Sequence, residues 1–167
     1  EYWNNLEPIS LCYIWQFSVN GNVYYGRELK DFIKVLDDFP KETKCIIWVH
    51  NLSYEFQFLR NILEWDSVFC RSARKPIKCV AKEYPYIEWR CSYMLTRLSL
   101  DSWGKQLGVH KQKGDLDYEE IRTPLTPLTD KELKYCEYDC LVLEAGIKDY
   151  IKRYTTVFNI PLTQTGI

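Results

Sequence analysis

The chain has few histidines and no closely paired cysteines. Its two histidines, His50 and His110, lie far apart, and its seven cysteines occur singly, without a Cys-x-x-Cys pair. This spacing excludes a zinc finger and indicates the reduced thiols of an intracellular protein. No apolar run approaches the roughly 18 residues that a membrane-spanning helix needs. We therefore expect neither a zinc site nor a membrane partner.

The chain also lacks a strong net charge. Its 22 Lys and Arg against 23 Asp and Glu leave a formal charge of −1, so any contact with DNA must come from a local patch. The best candidate places five cations within twelve residues: Arg71, Arg74, Lys75, Lys78 and Lys82. A solvated hairpin rim explains this cluster equally well. The aromatic content of 16% suits base stacking, but most aromatic residues should lie in the core.

The first half of the chain predicts a hairpin, a helix and a buried strand. Residues 9–18 and 22–26 flank Asn20-Gly21, which is a strong hairpin signal. Leu29, Phe32, Ile33 and Leu36 then have helical spacing, and Pro40 ends that segment. The continuous apolar run at 45–49 is typical of a central strand covered on both faces.

The second half predicts further helices and strands around the same sheet. We expect a helix over 52–65, two or three strands over 66–93, and a shorter helix over 99–108. The last helix begins at a capping box, Thr129-Asp130-Lys131-Glu132. This order predicts an α/β domain with a mixed sheet, whose ligands bind where strands end.

Two short stretches carry the chemistry. Each has a carboxylate four residues after a hydrogen-bonding group: Asn51 precedes Glu55, and Tyr135 precedes Asp139. On helices, each pair would share a face, and two such helices could hold divalent metals that cleave a phosphodiester.

Simpler explanations exist for each of these residues. Asn51 stands where a helix N-cap belongs, and Glu55 alone is more often a surface carboxylate. Tyr135 and Asp139 could lie on an ordinary exposed face. The segment from Lys113 to Tyr118 is most often a charged turn.

Five segments combine into a resemblance. In order, they are HNLSYEFQF, SLDSWGK, KGDLDYEEIR, TPLT and YCEYD. The chain resembles the proofreading domain of protein-primed family B DNA polymerases of phages, over residues 1–156. This resemblance implies a DEDD-type 3′→5′ exonuclease on a ribonuclease H-like mixed sheet flanked by helices. Residues 157–167 would then lead toward a polymerase domain.

The resemblance also implies roles for individual residues. The third exonuclease motif falls on Tyr135 and Asp139, and the second on Asn51, Tyr54 and Glu55. The second motif usually carries Asp, so Glu55 is one methylene longer. The catalytic lysine of the family matches Lys113, its base-stacking tyrosine matches Tyr118, and a residue that touches the single strand matches Ser102.

The first motif, Asp-x-Glu, is where the chain departs from the family. No Asp-x-Glu precedes the hairpin, and Glu1, 50 residues before Asn51, is expected to be its second acid. Its Asp would then lie two residues upstream of Glu1, and the first strand would lack its start. Without that Asp, we expect the chain to cleave DNA barely or not at all. Glu7 is a weaker candidate, since Asn5 and Pro8 suggest a turn.

The function that follows is two-metal hydrolysis at a DNA 3′ end. Glu1, Glu55 and Asp139 would bind two Mg²⁺ or Mn²⁺ ions. Tyr135 would position water, and Lys113 would stabilise developing charge. The single strand would be held by Asn51, Tyr54, Ser102 and Tyr118.

The expected partners are single-stranded DNA, a polymerase domain in the parent chain and a terminal priming protein, in the cytoplasm of an infected bacterial host. The alternatives are a free-standing exonuclease, and a non-catalytic DNA-binding or docking module that keeps the fold.

Overall fold

The chain forms two compact units. A computed structural model describes residues 2–4, 7–9, 11–109, 116 and 119–164, the first two ranges by their backbone alone. The first unit comprises residues 1–38 and 110–141, and the second comprises 39–109 and 142–167. Three predicted site residues, Glu1, Lys113 and Tyr118, lie outside the described residues.

Two antiparallel strand pairs begin the first unit. Strand β1 (Tyr2–Asn4) pairs with β2 (Glu7–Ile9), so Pro8 lies in a strand and not in the turn that we expected. Strand β3 (Trp15–Val19) pairs with β4 (Asn22–Gly26). The turn between them, at Asn20 and Gly21, has positive φ at both positions, 51° and 82°. This is the signature of a type I′ turn, and it confirms the predicted hairpin. Its first strand, however, begins at Trp15 and not at residue 9.

Helix α1 (Leu29–Asp37) packs its apolar stripe against that hairpin. Phe32 and Leu36 are buried, and the Trp15 ring lies 5.4 Å from the Phe32 ring between centroids. The Trp15 indole N–H donates to the Glu28 carbonyl over 2.8 Å. A Cβ at Gly26 would lie 2.3 Å from the Trp15 ring, which explains the glycine there.

The second unit contains a four-stranded mixed sheet. Its strands are β5 (Cys45–Val49), β6 (Trp65–Ser72), β7 (Lys75–Ala81) and β8 (Ile87–Cys91), in the spatial order β5-β8-β7-β6. β5 and β8 are parallel, and the other pairs are antiparallel. The expectation that β5 is central was wrong: among the described strands it pairs only with β8, and β8 is the strand buried at every residue.

Two charged residues are buried in β8. The Arg90 guanidinium is hydrogen-bonded to Glu88 and also donates to the Ile160 carbonyl over 3.3 Å. Lys44 and Lys78 approach Glu88 to 3.4 and 3.6 Å. Burial alone would raise the pKa of Glu88, but the hydrogen bond from Arg90 and these three positive charges hold it below its ordinary value. The charges are therefore paired, as burial requires.

Four helices complete the described structure. They are α2 (Leu52–Leu59), α3 (Ser92–Thr96), α4 (Leu100–Leu107) and α5 (Asp130–Tyr154), and a short 3₁₀ helix follows at Val157–Asn159. The capping box is confirmed: Glu132 N–H donates to Thr129 Oγ1 over 3.1 Å, and Thr129 N–H to Glu132 Oε1 over 3.0 Å. None of the helices in the described ranges is long and apolar enough to span a membrane.

The core of the second unit is built around α4 and the second half of α5. Its buried members are Leu95, Trp103, Val142, Ile147 and Ile160. Gly146 lets α5 approach Trp103 closely, because a Cβ there would lie 2.0 Å from the indole ring.

We expect Gly146→Ala to lower the free energy of unfolding by about 1–3 kcal/mol, the usual cost of overpacking. Alanine has the better helix propensity by about 1 kcal/mol, so any loss must come from the overlap with Trp103. Urea unfolding measures the change, with Lys148→Ala on the same helix as the control. An unchanged or higher midpoint would show that Trp103 does not pack on Gly146.

Candidate functional site

The start of α2 presents the first group of predicted site residues. β5 ends at Val49, and Asn51 turns the chain into α2 with φ 63° and ψ 57°. This left-handed conformation costs about 1–2 kcal/mol for a residue other than glycine, although Asn tolerates it best. The Asn51 side chain does not cap the helix, since its amide oxygen accepts from the Ser53 hydroxyl over 2.9 Å. Capping therefore does not account for Asn51, which holds a strained, exposed position where a strand ends.

Tyr54 and Glu55 follow on the first turn of α2. Tyr54 is 55% exposed, and its ring packs edge-to-face on Phe58 at 5.7 Å. An exposed aromatic ring of this kind suits base stacking. Glu55 is half-buried with its Oε2 atom shielded from solvent, and the helix N-terminus favours its negative charge. Glu55 is thus not the ordinary surface carboxylate that its sequence position allowed.

Tyr135 and Asp139 lie one turn apart on α5, in the first unit. Both side chains are half-buried, and the Oδ1 atom of Asp139 is shielded from solvent. Cys136, on the neighbouring core stripe, is buried. Tyr135 and Asp139 therefore do not lie on a fully exposed helix face, which was the simpler explanation of their spacing.

Ser102 belongs to the N-terminal cap of α4. Its backbone N–H donates to Ser99 Oγ over 3.1 Å, and the two hydroxyls lie 3.1 Å apart. The Ser102 side chain is exposed, so a role in touching DNA stays a prediction.

The predicted metal ligands fit Mg²⁺ by their chemistry, because carboxylates suit hard cations. Glu55 and Asp139 supply such oxygens, with one oxygen of each shielded from solvent. Within the described part of the chain, no three His, Cys, Asp or Glu residues are grouped as a metal site. The predicted third ligand, Glu1, lies outside that part, and the two-metal site stays a prediction.

The basic cluster lies on the β6–β7 hairpin, and part of it is neutralised. Lys82 is paired with Glu64 at 2.7 Å, and Lys78 approaches Glu88. No ion pair between described residues includes Arg71, Arg74 or Lys75, and all three are exposed. The hairpin thus presents fewer available cations than the sequence suggests.

An open cleft of about 470 Å³ lies at the carboxyl ends of β5 and β8, where a mixed sheet is expected to bind its ligands. Its polar lining residues are His50, Asn51, Ser53, Lys75, Arg97 and Ser99. Of the predicted catalytic, metal-binding and strand-binding residues that the structure describes, only Asn51 lines it, together with Lys75 of the basic cluster. Sequence reasoning missed Arg97, which follows α3, a helix too short to show periodicity.

His50 connects the two strand ends at this cleft. Its Nε2 lies 3.0 Å from the Leu98 carbonyl, and its Nδ1 lies 2.9 Å from the Ser92 hydroxyl. Because a carbonyl only accepts, Nε2 carries the proton and Nδ1 accepts from Ser92. Burial lowers the pKa of His50, against the opposing effect of the Leu98 hydrogen bond. The imidazole is therefore neutral near pH 7.

We expect this lowered pKa to appear in the pH dependence of stability. The unfolded state binds a proton on His50 more readily than the folded state, so the contribution of His50 is complete above the ordinary pKa of about 6.5. It is lost as the pH falls below that value toward the folded-state pKa. Urea midpoints at about pH 7.5 and 5.5 should differ more for the wild type than for His50→Gln. Equal differences would show that His50 is not held neutral.

The fold and these sites define a mixed-sheet α/β protein with polar residues at its strand ends, and solved structures share this fold. Phi29 DNA polymerase with primer-template DNA and incoming nucleotides matches with a TM-score of 0.65 at 16% identity, over 81% of this chain and 27% of that chain. Phi29 DNA polymerase with single-stranded DNA matches with a TM-score of 0.63 at 16% identity, over 79% of this chain and 26% of the polymerase chain. The orthorhombic crystal form of the polymerase matches with a TM-score of 0.64 at 15% identity, over 82% of this chain and 26% of the polymerase chain.

These matches confirm the predicted resemblance at the level of the fold. The chain spans about a quarter of the length of the polymerase. No protein-family model matches the sequence, and no curated protein matches it significantly.

Proposed function

We propose that the chain is the 3′→5′ proofreading exonuclease domain of a protein-primed DNA polymerase, and that it hydrolyses the terminal phosphodiester of single-stranded DNA. The domain would comprise residues 1–156, and residues 157–167 would lead toward the polymerase domain. Its other partner would be a terminal priming protein, in the cytoplasm of an infected bacterium.

The position of Glu55 carries the proposal. The residue lies on the first turn of the helix that follows β5, half-buried, with one carboxylate oxygen shielded from solvent. A half-buried carboxylate oxygen where a strand ends is a ligand of the kind that hard divalent cations prefer. The fold shared with a DNA polymerase supports a role on DNA.

Each residue would contribute a separate task. Glu1, Glu55 and Asp139 would hold two Mg²⁺ or Mn²⁺ ions, which when bound stabilise the attacking and leaving oxygens. The Tyr135 hydroxyl would orient the attacking water, and the Lys113 ammonium would oppose the negative charge that develops on the phosphate.

The remaining residues would hold the strand. Tyr54 and Tyr118 would stack unpaired bases, each worth roughly 1–3 kcal/mol without regard to sequence. Asn51 and Ser102 would donate to the strand. A mismatched end frays more easily, so it would reach these residues sooner than a paired end.

The test is release of mononucleotides from a 3′-labelled strand in Mg²⁺ or Mn²⁺, with EDTA as the control. Two proteins are compared: the 167-residue chain, and the same chain extended upstream so that Asp stands two residues before Glu1. We expect metal-dependent 3′→5′ digestion by the extended chain and little or none by the other. An extended chain that binds DNA without digesting it would instead support the non-catalytic module.

A further inference from the structure

Among the described residues that line the cleft at the ends of β5 and β8, two are cations and none is a carboxylate. Lys75 reaches it as the first residue of β7, and Arg97 as the C-cap of α3. Neither side chain takes part in an ion pair between described residues. The paired cations Lys78, on β7, and Lys82, directly after β7, do not line the cleft. This arrangement favours an anionic ligand.

Arg97 occupies a conformation in which arginine is a poor choice. Its φ is 58° and its ψ is 20°, the left-handed cap position at which helices prefer glycine. Its backbone N–H donates to the Tyr93 carbonyl over 2.8 Å, so the turn is closed by the main chain and not by the side chain. The guanidinium carbon lies 6.0 Å from the centre of the Tyr93 ring. A strained arginine facing a cleft beside an aromatic ring points to a ligand.

Tyr93 gives the cleft a surface for a planar group. The ring is 38% exposed and is held edge-to-face by His50 at 5.7 Å. The cleft volume, about 470 Å³, lies within the range of roughly 300–1,000 Å³ seen for small-ligand sites. The cleft therefore combines two cations for a phosphate with one aromatic face for a base.

We propose that Arg97 and Lys75 bind a backbone phosphate of single-stranded DNA in this cleft, with a neighbouring base on Tyr93. The inference rests on the proposed function in taking single-stranded DNA as the ligand. It adds Arg97, Lys75 and Tyr93 to the strand-binding residues, at a site where no chemistry occurs. The site would set how firmly the strand is held while its 3′ end is cut.

Arg97→Gly gives a sharp test, because glycine suits the left-handed cap and the variant should fold at least as well as the wild type. The probe is a 5′-fluorescein oligo(dT) of about twelve nucleotides, bound by the full chain in EDTA and followed by anisotropy. We expect roughly 10-fold weaker binding, as loss of a charged hydrogen bond implies. The slope of log K against log salt should fall by about 0.7, the value for one phosphate on a single strand. Lys152→Gln, which removes an exposed cation outside the cleft, is the matched control and should change neither quantity.

A charge-neutral methylphosphonate linkage, moved along the oligonucleotide, locates the phosphate. At one position, replacing the charged linkage by the neutral one should weaken binding to the wild type. At that same position the replacement should leave binding to Arg97→Gly unchanged, because this variant has already lost the contact. Wild-type affinity in Arg97→Gly, or an equal loss in Lys152→Gln, would overturn the proposal. Displacement of the strand by inorganic phosphate at matched concentration would also overturn it, since the cleft would then be a general anion site.

The outcome is independent of cleavage. Weaker binding by Arg97→Gly establishes the site even if no form of the chain cuts DNA. If the extended chain cleaves DNA with metal but Arg97→Gly binds DNA as tightly as the wild type, the site is rejected. The proposed function is then still supported.

Discussion

Asp139→Asn, made in the chain extended to carry Asp two residues before Glu1, is expected to slow mononucleotide release by roughly 10³-fold. Asparagine keeps the size of the side chain and removes its charge, so the loss reports the metal-binding role. Stabilisation of transition-state charge by a metal is worth several kcal/mol, and each 1.36 kcal/mol is tenfold in rate. Glu55→Gln should show a loss of similar size.

The matched control for this experiment is Glu137→Gln. Glu137 is exposed on the same helix and is not a predicted ligand, so its variant should digest DNA at the wild-type rate. Thermal unfolding of all three variants establishes that each is folded. Full activity of Asp139→Asn would remove this residue from the metal site, and an equal loss in Glu137→Gln would assign the effect to the helix.

The β3–β4 hairpin and the last helix could be predicted because their signals are local. Asn20-Gly21 specifies a type I′ turn through two positive φ angles, and the capping box places the start of α5. α2 shows the limit of such signals. Leu63 continues its apolar spacing and is buried, yet the helix ends at Leu59. Apolar spacing reports which residues are buried, and it does not fix where a helix ends.

The central strand of the sheet could not be predicted, because it contains charged residues, which usually indicate an exposed strand. β8 carries Glu88 and Arg90, which are buried as a pair and resemble a solvated strand in the sequence. The apolar β5 suggested a central strand more strongly, and it pairs on one side only among the described strands. Partners far apart in sequence, such as Arg90 and the Ile160 carbonyl, decide which charges can be buried.

In the candidate site, too, only the residues that belong to local motifs could be identified from the sequence. Glu55 and Asp139 could be proposed from the sequence because each belongs to a short motif with helical spacing. Arg97 belongs to no motif, and a left-handed conformation at a residue other than glycine cannot be read from the sequence. The sequence identified Lys75 only as one of five cations. The structure distinguishes Lys75 from Lys78 and Lys82, because those two lysines form ion pairs.

Lys113→Ala and Tyr118→Ala are expected to separate chemistry from strand capture. In the extended chain, Lys113→Ala should lower the rate at saturating DNA by roughly 10²-fold, as loss of one preorganised charge does. Tyr118→Ala should chiefly raise the DNA concentration needed for half-maximal rate, because lost stacking costs roughly 1–3 kcal/mol of binding. Single-turnover digestion over a range of DNA concentrations measures both quantities.

Two exposed residues of the described structure supply matched controls for this pair. Lys105→Ala removes an exposed cation of α4, and Tyr25→Ala removes a tyrosine that is 55% exposed on β4. Neither should alter the rate or the half-saturating concentration. Equal rate losses at saturating DNA for Lys113→Ala and Tyr118→Ala would contradict the assignment, because a residue that only captures the strand cannot limit a reaction in which every strand is already bound.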